Sequence, residues 1–238
     1  MKPQPLNHIS YSRVIHLSHI INTDIPQWPG DPNVQFTTVA QIQDSGYYLR
    51  SFTIGEHSAT HINAPSSFHG DGISIDEYSA PSLVVSAVVI DVTKQATENP
   101  DYQLTITDIL NWERENGTIQ QNSTVLLYTG WQYKWLDQKA FFNQDENGNM
   151  HFPGFSKDAT QFLITNRKIS GVGIDTHGVD SGQDTNFTTN SLILEKPRIV
   201  LENLTNLDQL PPQGITLVIG ILRLRGGSGS PAAVIAFF

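Results

Sequence analysis

Along the chain, apolar residues gather in short β-branched runs separated by turn formers, a pattern that predicts strands with a few short helices between them. Val84-Val-Ser-Ala-Val-Val-Ile-Asp-Val reads as a buried strand, Thr124-Val-Leu-Leu-Tyr-Thr as a second, and Ile169 to Ile174 and Arg198 to Leu201 as two more. Thr216 to Leu224 and Ala232 to Phe238 predict two strands around the glycine-rich connection Gly226-Gly-Ser-Gly-Ser-Pro231. Nearer the start, Arg13 to Asn22 is strand-like, and Tyr47 to Ile54 predicts a strand running into the segment that follows. Helical periodicity is confined to short stretches. Thr107 to Gly117 has a capping Thr and a closing Gly, Ser156 to Asn166 puts Ala159, Phe162 and Leu163 on one face, and Thr189 to Lys196 stops at Pro197. With no repeat or linker, one domain over 1–238 is expected, and 238 residues are enough for a single α/β or all-β core.

The polar positions are less evenly spread. Three of the eight histidines, His57, His61 and His69, fall within the stretch 55–72, which also holds Asn63, Pro65 and Ser67. Two imidazoles and a carboxylate can hold a divalent metal with an open position, so this stretch is the first candidate for chemistry. Full extension from His57 to His61 would separate their Cα atoms by roughly 13 Å, too far for both rings to reach one ion at about 2.1 Å. A helix would join the two rings but turn Asn63 away, and Pro65 discourages it. A bent strand end or loop is therefore expected. Upstream, Asp24-Ile-Pro-Gln-Trp-Pro-Gly-Asp-Pro holds Trp28 and Asp31 in a proline-stiffened loop, where Trp28 is either a substrate platform or a cover for the core edge. Asp175-Thr-His-Gly-Val-Asp180 follows a strand, a place where loops commonly carry function.

Composition narrows the classes. A formal charge of −9 argues against a nucleic-acid binder, and the acidity reads as a solvated surface. No apolar run is long enough for a bilayer and no export segment follows the start, so a cytoplasmic protein is expected. Without cysteine, any metal must be held by nitrogen and oxygen. The glycine-rich connection lacks the Lys of a phosphate loop, though its backbone amides could face a carboxylate or an oxyanion.

Val14-Ile-His-Leu-Ser-His, Pro26-Gln-Trp-Pro-Gly-Asp, His57-Ser-Ala-Thr-His-Ile-Asn-Ala-Pro, Gly173-Ile-Asp-Thr, Glu202-Asn-Leu and Gly226-Gly-Ser-Gly-Ser-Pro occur in an order that resembles the cyclase family of metal-dependent hydrolases. That family includes bacterial kynurenine formamidases and isatin hydrolases, with the signature His-x-Gly-Thr-His-x-Asp-x-Pro-x-His. The resemblance implies an α/β fold of the swivelling β/β/α type, with a mixed sheet or barrel-like core, assembled as a homodimer or homotetramer. It also implies hydrolysis of an amide, lactam or lactone by a metal-activated water. His57, His61 and Glu202 match family metal ligands, and Trp28 matches the aromatic placed against the substrate. Three positions depart: Asn63 stands for a ligating Asp, Ser67 for the His that carries the proton, and Asn190 for a further His ligand. The expected cofactor is one divalent ion, zinc or manganese, on His57, His61 and Glu202 with Asn63 as a weak fourth ligand. The displaced proton-carrying role falls to His69 or His177, either of which could instead be structural. A catalytically weak or inactive relative that binds a small molecule is the alternative.

Overall fold

The computed structural model describes residues 8–238. Its strands, in chain order, are β1 (Val14–His16), β2 (Gln35–Ala40), β3 (Leu49–Thr53), β4 (His61–Asn63), β5 (Val84–Asp91) and β6 (Gln103–Leu104). They continue with β7 (Thr124–Tyr128), β8 (Gly154–Phe155), β9 (Gly171–Ile174), β10 (Ile199–Glu202), β11 (Ile215–Ile221) and β12 (Gly229–Phe237). Helices α1 (Ile42–Ser45), α2 (Thr93–Glu98), α3 (Ile106–Asn116), α4 (Gln138–Phe142), α5 (Lys157–Phe162) and α6 (Thr188–Leu194) lie between them. None of the described helices is long and apolar enough to cross a membrane.

Seven strands form a ring. They run β12-β11-β5-β7-β9-β10-β4, and β4 then pairs back onto β12. The sheet is mixed, as expected: β5, β7, β9 and β10 are parallel neighbours, while β11, β12 and β4 join antiparallel. Strand β12 shares one edge between two partners, with Gly229 to Pro231 facing β4 and Ile235 to Phe237 facing β1.

Alternation along the strands sorts the core into two layers. Ile62, Val89, Leu126, Leu201, Leu217 and Val234, from six strands of the ring, pack together inside it. The intervening residues Val88, Ile90, Val125, Leu127, Val172 and Val200 meet Ile109 of α3, Ala159 of α5 and Ile193 of α6 outside. Each such side chain removed from water contributes about 1.5–3 kcal/mol, which explains why these runs are apolar on both faces. A third cluster, with Ile25, Ala59, Trp131, Trp135, Phe141 and Phe152, lies apart from both.

The local expectations hold for the buried strands and shift elsewhere. Helix α3 and its cap lie two residues earlier than expected, with Thr105 and not Thr107 as the cap: the Asp108 N–H donates to Thr105 Oγ1 at 3.2 Å, and the Thr105 N–H donates to Asp108 Oδ2 at 2.8 Å. This reciprocal capping box is worth about 1 kcal/mol. The strand expected over Arg13 to Asn22 contracts to β1, because only three residues find a partner on β12. Strand β3 does not continue into the histidines. It pairs with β2 in a separate hairpin whose Val39, Tyr48 and Phe52 stand exposed.

Candidate active site

The bend expected between the first two histidines is present. Ala59 takes φ 54°, a left-handed conformation that interrupts extension, and the His57 and His61 rings come within 5.4 Å at right angles. Chain direction then changes into β4, whose register builds most of the site. His61 lies directly across from Glu202 on β10, and Asn63 lies across from Gly229 on β12. By the period of two, His61 and Asn63 share one face while Ile62 turns into the ring. At position 229 only glycine fits, since a Cβ would sit 2.6 Å from His57 Cε1.

Asn190 comes in from α6, and Asp180 from the loop after β9. Asp180 accepts from the Thr189 and Asn190 backbone N–H groups and from Asn190 Nδ2 at 2.9 Å, tying the start of α6 to the site. Burial, ahead of these hydrogen bonds, raises the Asp180 carboxyl to about 6.

The hydrogen bonds fix where the protons sit. Asn190 faces two carboxylates, Asp180 at 2.9 Å and Glu202 at 3.0 Å, so its Nδ2 must be the atom directed at them. Its Oδ1 then accepts from Asn63 Nδ2 at 3.0 Å, and that same amide group donates to Glu202 Oε2 at 3.1 Å. Asn63 Oδ1 is left facing His57 Nδ1 at 2.8 Å, so the His57 proton is on Nδ1. Burial and then the neighbouring His61 lower the His57 pKa, keeping the ring neutral with a bare Nε2. That nitrogen lies 2.9 Å from Ser228 Oγ. Ser228 is held in turn by Glu56, whose Oε2 accepts from its N–H and lies 2.8 Å from its hydroxyl.

His61 donates from Nδ1 to the Ala59 carbonyl at 2.8 Å and faces Glu202 Oε2 with Nε2 at 3.0 Å. One proton therefore lies between His61 and Glu202, and Glu202 is the carboxylate of the pair. Burial pushes its pKa up, but the hydrogen bond and charge of His61, with Asn190 and the Val179 N–H, carry it down to about 2.

The donor set does not fit a metal as it is arranged. Each Glu202 oxygen already accepts two hydrogen bonds, from Val179 N–H and Asn190 Nδ2 and from Asn63 Nδ2 and His61. Both amide NH₂ groups point at the carboxylate where a cation would need a lone pair, and both His57 nitrogens are engaged. Among the described residues no group of three or more His, Cys, Asp or Glu side chains is arranged to hold an ion. The expected ion on His57, His61 and Glu202 with Asn63 thus meets a site whose charges and lone pairs are closed by protons.

The remaining expectations divide. Trp28 lines the cleft above this floor and also packs against the third core cluster, a position compatible with either of the roles considered for it. His177 lines the same cleft, its ring centre 5.4 Å from that of Trp28 at a right angle and its face stacked on Phe142 with 5.0 Å between ring centres. Burial takes its pKa down to about 3 and its Nε2 has no hydrogen-bond partner, so it stays neutral through the range where a proton carrier of ordinary pKa would titrate. His69 is not brought to the cleft. Its Nε2 donates to the Ser191 carbonyl at 2.9 Å and ties its loop to α6. Ser67 does line the cleft, but its hydroxyl donates to the Ser228 carbonyl and braces that loop.

Glu56 and Ser228 were not singled out by sequence reasoning. Glu56 adjoins His57, and Ser228 stands between Gly227 and Gly229 in the glycine-rich connection. That signal drew attention only to backbone amides. The cleft holds about 550 Å³, with Trp28, Phe68, Phe152 and Phe187 on its walls and His57, Asn63, Glu202 and Ser228 below.

Comparison with known proteins places this geometry. Residues 15–181 match the family described as "Putative cyclase". The isatin hydrolase of Roseibium aggregatum is 33% identical over 231 residues, which cover 90% of this chain and 87% of that protein. The kynurenine formamidase of Salinibacter ruber is 24% identical over 93% of this chain and 96% of its own. Isatin hydrolase A from Ralstonia solanacearum has a solved structure that superposes with a TM-score of 0.89 at 33% identity, covering 94% of this chain and 91% of that one.

Proposed function

Because this chain belongs to the cyclase family, we propose that it hydrolyses an amide, lactam or lactone bond in a small planar substrate, either a fused cyclic amide such as isatin or an aryl amide. The observation that carries this reading is the cleft itself: aromatic walls on Trp28, Phe68 and Phe187 stand over a floor of His57, Asn63, Glu202 and Ser228. A flat ring stacks or edges against such walls, while its carbonyl reaches the polar floor. The volume of about 550 Å³ suits a substrate of one or two rings. Neutral His57 can take a proton, and the His61–Glu202 ion pair supplies a fixed dipole beside it.

The test is turnover of isatin, N-formyl aryl amides and aryl lactones by the purified protein, once with chelator and once with zinc or manganese. Ring opening or deformylation with chelator present is expected. Turnover only with added ion would mean that a metal centre assembles by rearrangement of Asn63 and Asn190. No turnover in either condition, together with a ligand-dependent rise in Tm, would favour the second reading, a small-molecule binding protein. The saturated hydrogen bonding of Glu202 speaks for that reading.

The homo-oligomer that the resemblance implies has a candidate face in the β2–β3 hairpin. Val39, Ile42, Tyr47, Tyr48 and Phe52 are each more than half exposed there, the kind of apolar patch that a second copy of the chain would cover. Light scattering that returned a monomer at high concentration would remove this assignment.

A further inference from the structure

We propose that Ser228, His57 and Asn63 form a nucleophile, base and positioning triad, so that bond cleavage in this cleft runs through an acyl-serine. The inference rests on the hydrolase reading and adds the group that attacks. Three observations carry it. Ser228 Oγ lies 2.9 Å from His57 Nε2, and His57 Nδ1 lies 2.8 Å from Asn63 Oδ1, so base and nucleophile are in hydrogen-bond reach and the base is oriented from its far side. The chain of donors from Asp180 through Asn190 and Asn63 forces the tautomer that leaves Nε2 bare, the form a general base needs. Ser228 and His57 also line the cleft, half-buried, where a bound carbonyl would meet them.

The hydroxyl proton has a second acceptor in Glu56 Oε2 at 2.8 Å. That carboxylate already accepts from the Ser228 N–H, whereas His57 Nε2 has no other donor among the described residues. Glu56 also supplies a negative charge near the imidazolium that forms during attack.

Each step balances. Ser228 Oγ bonds to the substrate carbonyl carbon as its proton moves to His57 Nε2. The tetrahedral adduct then expels the amide nitrogen or ester oxygen, which takes that proton, leaving an ester on Ser228. Water attacks the ester, gives one proton to Nε2, and Ser228 leaves with that proton while the carboxylic acid product is released and gives up its own proton to solvent. In a cyclic substrate the leaving group remains on the product, so one ring opens and no fragment departs.

The experiment is active-site labelling of the whole chain in chelator, with a fluorophosphonate probe and with p-nitrophenyl acetate. Both are read by intact mass and by peptide mapping, beside turnover of the lactone and isatin substrates. The expected result is one adduct per chain on the peptide carrying Ser228, absent in Ser228→Ala, with labelling about 10²–10⁴-fold slower in His57→Gln. Asn63 acts through His57, so Asn63→Ala should slow labelling. Asn63→Asp, which keeps an acceptor for Nδ1–H, should restore it; a merely structural role would not show that rescue. Circular dichroism and Tm keep folded variants distinct from unfolded ones, and the wild-type adduct needs no variant. Turnover without an adduct on Ser228, and with Ser228→Ala as fast as wild type, would overturn the triad and leave the hydrolase reading standing. An adduct without turnover of any substrate would support the triad and overturn that reading.

Discussion

Asp175 and Glu202 stand near the ends of two neighbouring parallel strands, just past β9 and on the last residue of β10, and both are buried. Their carboxyl groups move in opposite directions. Burial raises Asp175 to about 6 despite hydrogen bonds from the Thr129 hydroxyl and the Gln132 and Thr129 N–H groups, whereas Glu202 falls to about 2. Neutral donors offset part of the cost of an ionised group in a dry interior, and a proton-bearing imidazole at 3.0 Å reverses it. Burial alone therefore does not mark a functional carboxylate; the partner does. Asp175 pins the turn that carries Trp131 and Trp135 into the third core cluster, while Glu202 organises the floor of the cleft.

The comparison breaks most strongly at Glu202. Glu202→Ala leaves His61, Asn63 and Asn190 with unmet polar atoms in a buried site, and a loss of about 3–5 kcal/mol in urea unfolding is expected. A loss under about 1 kcal/mol would show that water replaces the carboxylate and that the knot is not organised by its charge. Asp175→Asn should cost less, about 1–3 kcal/mol, because it keeps the shape and spoils only the match between an acceptor and three donors.

Acid titration sharpens the contrast through its sign. Asp175 has a folded value of about 6, above its ordinary 3.8, so its contribution is fully present below about 3.8 and is lost as pH rises through 6. Glu202, at about 2 against an ordinary 4.5, contributes above 4.5 and loses that contribution as pH falls toward 2. The stability of wild type relative to Asp175→Asn should therefore decline from pH 4 to 6.5, and relative to Glu202→Gln it should climb from pH 2.5 to 5. Slopes of the same sign in urea midpoints would contradict the assigned environments. The gentlest change exchanges one character for the other: Asn63→Asp with Asn190→His replaces two amide donors by ligands. One bound zinc or manganese per chain, counted by elemental analysis after dialysis, is expected where the unaltered chain retains none.

Sequence patterns revealed the parts of the fold that are apolar on both faces. β5, β7, β9 and β10 declare themselves because the ring interior and the helices each demand hydrophobic side chains there. Strand β4 does not, since three residues carry no period, and it is a strand only because β10 and β12 flank it. Its chemistry was legible in His57 and His61, yet their approach depends on one backbone angle at Ala59. The cap of α3 was displaced because Thr105 and Thr107 both suit the role, and only Thr105 has an Asp three residues on. Ser228 stayed hidden for a different reason. Its partner His57 lies 171 residues away, a proximity created by ring closure and by no local signal.

The closing of the ring by β12 onto β4 also sets an order in time. Residues 61–63 leave the ribosome early, but their partner at 229–231 is synthesised more than 160 residues later. At about 5–20 residues per second, His57 and Asn63 wait many seconds before Gly229 and Ser228 exist to meet them. Until then His61 can find Glu202, but the edge of β4 that will carry the other half of the site is unpaired and open to a chaperone or to a wrong strand. A chain on which β12 has not yet been made lacks Ser228 and the partner of Asn63, so the cleft is completed only when β12 pairs with β4.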